Sequence, residues 1–110
     1  MMHDLVIAVE ENSQKLKEAI GMRYKTSVER AKAEYEYRSA LGKAMASAKL
    51  EGMAATALYD FCRSLEHVAK FREARDMAIA KENYLTEMIW YFRTEIRIAE
   101  GQMNAERKGL

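Results

Sequence analysis

Proline is absent from all 110 residues, and this constrains the fold more than any other feature. A proline inside a helix costs about 3 kcal/mol relative to alanine, so a chain without one can run helices of unusual length. Glycine is the other common helix breaker, and there are only five. The remainder is rich in Ala, Glu, Lys, Leu, Arg and Met, the residues that lose least on entering a helix. The spacing of apolar positions agrees. From about Ser13, residues Ile20, Tyr24, Ser27, Ala31, Glu34, Arg38, Leu41, Met45 and Ala48 recur at alternating steps of four and three. A second series comprises Phe71, Arg75, Ala78, Glu82, Leu85, Ile89, Phe92, Ile96, Ala99 and Met103. Such a pattern is the seam of a helix packed lengthwise on another.

The predicted fold is all-α: an antiparallel hairpin of two long helices, with a short helix in the connection, assembled into an oligomeric bundle. One domain spans 1–110, with an N-terminal segment over 1–12 that precedes the repeat. The long helices are expected at 13–51 and 65–105, with the short helix at 57–63. Asp4 or Asn12-Ser13 could cap the first helix, and Gly52 suits the left-handed residue beyond its end. Thr56 and Ser64 are candidate caps for the two later helices. Gly21 and Gly42 suggest places where another helix approaches closely. A reversal near residue 58 pairs positions whose numbers add to about 116. The apolar residues off the seams, among them Leu16, Val28, Tyr35, Met77, Ile79, Met88, Trp90, Tyr91 and Ile98, exceed what one hairpin buries. A homo-oligomer is therefore expected.

Charge narrows the function classes. Lys and Arg total 18 against 17 Asp and Glu, a balance that disfavours direct DNA binding, which needs a basic excess. A lone Cys62 rules out an internal disulfide, and reads as a small buried apolar residue. His3 and His67 lack metal-ligand spacing, so no metal and no cofactor is expected. The run Leu5-Val6-Ile7-Ala8-Val9 is shorter than the about 7–15 residues of a signal-peptide core. A soluble protein of the host-cell cytoplasm, with no membrane partner, is expected.

Four charged residues, Glu34, Arg38, Arg75 and Glu82, fall at seam positions, and the predicted register places them within a few turns of one another. Charges in a seam must be paired. The cluster either fixes register or forms a pocket for an anionic or amide-bearing ligand. Nothing near it supplies a nucleophile, an oxyanion loop or a metal, so no catalytic residue is assigned and the chain is expected not to be an enzyme. Aromatic and basic residues interleave at Arg23-Tyr24-Lys25, at Glu34-Tyr35-Glu36-Tyr37-Arg38 and at Trp90-Tyr91-Phe92-Arg93. Arginine can hold a phosphate while an aromatic ring stacks on a base. The candidate ligand-binding set is Tyr24, Glu34, Tyr35, Arg38, Arg75, Glu82, Trp90 and Arg93. Arg72-Asp76 and Lys81-Glu82 read as ordinary surface pairing.

Four segments carry a resemblance: Glu34-Tyr35-Glu36-Tyr37-Arg38-Ser39-Ala40-Leu41, Glu51-Gly52-Met53-Ala54-Ala55-Thr56, Phe71-Arg72-Glu73-Ala74-Arg75-Asp76-Met77-Ala78 and Ile96-Arg97-Ile98-Ala99-Glu100. Over about residues 30–102 the chain resembles small all-helical proteins of phages and prophages of Gram-positive bacteria. These have a long helix, a turn at a Glu-Gly pair, a short helix and a second long helix. Ala54 departs from the pattern, which has proline there. The group has no established activity to transfer to any residue. The resemblance implies a protein that acts by occupying a target: a counter-defence protein sequestering a nucleotide immune signal between subunits. The alternative is an inhibitor or accessory protein that binds a host protein or a DNA-recombination or replication factor. A purely structural or assembly role is the third class.

Overall fold

The structure, a computed structural model, describes residues 1–109. It is all-α: α1 spans Met2–Leu50, α2 spans Ala55–Ser64 and α3 spans Glu66–Gly109. The two long helices pack as an antiparallel hairpin with α2 in the connection, the architecture that the repeat predicts. No described helix is long and apolar enough to cross a membrane.

Helix α1 begins earlier than the sequence pattern suggests. The segment 1–12 is helical from Met2, and Asp4 sits in the first turn, where a carboxylate favours the positive end of the helix dipole. Asn12 is an interior residue, its Nδ2 donating to the Ala8 carbonyl at 2.8 Å. The C-terminus ends in a Schellman motif. Gly52 has φ +89°; its N–H donates to the Lys49 carbonyl at 3.1 Å, and the Met53 N–H donates to that of Ala48 at 3.1 Å. Met53 then packs on the cluster of Ala48, Leu58 and Cys62, supplying the apolar contact that accompanies this cap.

The two later caps differ from expectation. Helix α2 starts behind Ala54, which offers no side-chain cap, and Thr56 lies inside the helix. Ser64 belongs to the end of α2, its hydroxyl donating to the Phe61 carbonyl at 2.6 Å. One extended residue, Leu65 (φ −60°, ψ 135°), separates α2 from α3.

The hairpin register is also displaced. Arg23 on α1 donates from Nε to Thr86 Oγ1 on α3 at 2.8 Å, and Glu34 meets Arg75 at 3.6 Å. In both pairs the residue numbers add to 109 instead of about 116. The chain therefore reverses close to the Gly52 turn, one heptad away from the predicted pairing.

Contacts gather in two units, Met1–Lys25 with Glu82–Leu110, and Thr26–Lys81. In the first, Ala19, Leu85, Ile89 and Ala99 are buried. In the second, Ala48, Leu58 and Cys62 form a cluster joined by Leu41, Ala44, Met45 and Leu65, and Thr26, Tyr37 and Val68 are also buried. The α3 seam matches the predicted one from Arg75 to Met103; before it, Phe71, expected to open the seam, is exposed, and Val68 is buried instead. The α1 seam differs in its first half. Ile20, Tyr24 and Ala31 are exposed, and Ala19, Thr26 and Tyr37 occupy the inner face. Leu16, expected off the seam, is partly buried. Gly21 and Gly42 mark no close approach: a Cβ added at either would meet nothing within 4 Å.

Candidate functional site

The unit formed by Thr26–Lys81 holds a polar knot built on Tyr37. Tyr37 is 4% exposed and lies on the face of α1 one turn before Leu41. The Arg75 guanidinium of α3 lies over this ring, 4.5 Å from its centroid, a separation at which the cation is attracted to the π face. Arg75 also donates from Nε and Nη2 to Asp76 Oδ1 at 3.1 and 3.0 Å, and its Nε lies 3.6 Å from Glu34 Oε2. The other Glu34 oxygen accepts from Arg38 Nε at 2.7 Å.

Helix α2 reaches the same knot through Arg63. The Tyr37 hydroxyl beside this guanidinium, followed by Tyr59, raises its pKa still further above the ordinary value. Arg63 also lies over the Tyr59 ring at 5.6 Å, and its carbonyl accepts from Arg72 Nη1 at 3.3 Å. The buried Arg63 Nε has no hydrogen-bond partner among the described residues. Three helices thus meet at one phenol. The groups gathered here are guanidinium, carboxylate and phenol, which orient and neutralise one another.

Of the four seam charges, Glu34, Arg38 and Arg75 come together, though Arg38 is 77% exposed and flanks the knot from outside. Glu82 falls in the other unit, with its side chain buried. The one-heptad shift in register explains this: it presents Arg75 to Glu34 where the predicted register presented Glu82. Asp76 pairs with Arg75, and Arg72 with the Arg63 carbonyl, so the expected Arg72-Asp76 surface pairing does not form.

The remaining candidates lie on surfaces. Tyr24, Tyr35 and Trp90 are exposed. Arg93 stands over the Trp90 ring at 5.8 Å, and Tyr91 meets Phe92 edge-on at 5.5 Å. Tyr35 lines a shallow trough with Phe71, Lys43 and His67.

Sequence reasoning missed Tyr37 and Arg63. Tyr37 was legible, since it lies four residues before Leu41 and eight before Met45 on one helical face. Arg63 gave no signal, because a ten-residue helix carries too few repeats to show which side a charge occupies.

Comparison with protein-family models, curated proteins and solved structures finds no match to this chain.

Proposed function

We propose that this chain acts by binding, as a self-associating helical hairpin, and that it holds a nucleotide-type ligand between subunits. In the setting implied by the phage resemblance, this is the work of a counter-defence protein that sequesters an immune signal in the host cytoplasm. The observation carrying the reading is a row on α3. Tyr84, Tyr91 and Ile98 recur every seven residues and are all exposed, with Trp90 beside them also exposed. Large apolar side chains at heptad spacing on an outer face form a seam awaiting another helix.

Trp90 and Arg93 support the ligand class. An exposed indole can stack on a base while the neighbouring guanidinium takes a phosphate. This pair suits a ligand better than Arg75, whose donors are already directed at Asp76 and Glu34.

The same row favours a second reading, in which it docks on a host protein or a recombination or replication factor. A panel of linear and cyclic nucleotides, read by thermal shift and calorimetry, separates the two. A ligand at a hundredfold its dissociation constant adds about 2.7 kcal/mol of stability. An unchanged melting curve with every nucleotide, together with a protein or DNA fragment that co-purifies through the α3 row, contradicts the nucleotide reading.

A further inference from the structure

The exposed row on α3 is uneven in size. Tyr84, Tyr91 and Ile98 project from the helix at steps of seven. Three residues after each come Glu87, Thr94 and Gly101, the other positions that a helix packed along the row meets. Two of these three are small. All six belong to the unit that contains Glu82–Leu110. A neighbour that fits the row sets small residues opposite its large ones.

Charge adds a direction. Glu87 is exposed and has no ion-pair partner among the described residues. Three and four residues away on its own helix are Asn83, Tyr84, Trp90 and Tyr91, none of them a cation. Arg97 is exposed, donates to Thr94 Oγ1 at 3.5 Å and also has no ion-pair partner among the described residues. It stands one turn from the like charge of Arg93. Glu87 and Arg97 are about 15 Å apart along one helix, too far to pair within a chain.

A parallel two-fold pair of α3 helices sets each residue against its own copy. Glu87 then opposes Glu87, a like-charge contact that disfavours association, and the two Gly101 leave a gap. An antiparallel pair in which facing residue numbers add to about 185 does the reverse. Tyr84 meets Gly101 of the second copy, Tyr91 meets Thr94, and Glu87 comes level with Arg97.

We infer that α3 pairs antiparallel with α3 of a second copy, about a two-fold axis level with Phe92 and Arg93, with Glu87 of each copy paired to Arg97 of the other. The same face serves both copies, so the contact closes on itself. The inference rests on the self-association reading above, and adds to it a direction and a register.

Two sets of variants of the full chain test it. In sedimentation equilibrium, Glu87→Arg and Arg97→Glu each weaken self-association about ten- to a hundredfold, since each replaces two ion pairs by two repulsions. The double variant E87R/R97E restores it to within about threefold of the wild type. Both side chains are exposed, and circular dichroism verifies that the helices persist. In oxidative cross-linking, Thr94→Cys joins to its own copy, the two sites being about 4.5 Å apart in height. Gly101→Cys does not, because its two sites are about 25 Å apart. Cys62 is buried, so the wild type stays uncross-linked. A Gly101→Cys dimer, or a double variant no better than the single reversals, overturns the inference while leaving self-association standing. A wild type that sediments as a monomer, its row free or taken by another protein, overturns the inference together with the reading it rests on.

Discussion

The Arg75 guanidinium stands 4.5 Å from the centre of the buried Tyr37 ring, and Glu34 closes on the same group at 3.6 Å. Arg75→Ala removes a cation–π contact and a partly buried ion pair together, and should cost about 1–2 kcal/mol. Arg75→Lys should recover little, because an ammonium cannot stack flat on the phenol while facing two carboxylates. Tyr37→Ala should cost about 3–5 kcal/mol, as expected for deleting a buried aromatic. Urea denaturation of the three variants gives the ranking.

Arg38 illustrates the opposite case. It hydrogen-bonds Glu34 at 2.7 Å but is 77% exposed, so solvent screens the pair. Arg38→Ala should lower stability by under about 1 kcal/mol. A loss of several kcal/mol would mean that this side chain is enclosed.

Fold class was legible in the sequence because a proline-free, helix-favouring chain with two long four-three repeats has few alternatives. Register was not. A heptad repeat keeps its phase when one helix slides by seven residues, so apolar spacing alone could not separate Glu34 facing Arg75 from Glu34 facing Glu82. The early α1 seam misled for another reason. Ala19 and Thr26 are small or polar and occupy the buried face, while Ile20 and Tyr24 point outward, so ranking positions by apolar bulk selects the wrong stripe. The candidate site was legible as a polar interruption of the seams. Arg63 was hidden in a helix too short to have a readable phase.

The glycines give a paired prediction of opposite signs. Gly21 and Gly42 lie in α1 with open space around the added Cβ, so Gly21→Ala and Gly42→Ala should each stabilise by about 0.5–1 kcal/mol. Gly52 has equal room but φ +89°, and Gly52→Ala should destabilise by about 1–2 kcal/mol. Thermal melts of the three variants check both signs.

Cys62 is 0% exposed and lies in the α1–α2 cluster. Its thiol should react with an aqueous disulfide reagent only as fast as the native chain opens, and at the free-thiol rate in denaturant. Rapid native labelling would show that α2 lifts readily from Ala48 and Leu58.

Self-association through the α3 row is the central claim, and light scattering at micromolar concentration measures it directly. A mass that is a multiple of 12.7 kDa is expected for the wild type, falling toward the single-chain value when Tyr84 and Tyr91 are both changed to glutamate, with helicity unchanged. A wild-type mass of 12.7 kDa at every concentration, or an oligomer indifferent to Tyr84→Glu and Tyr91→Glu, would contradict it.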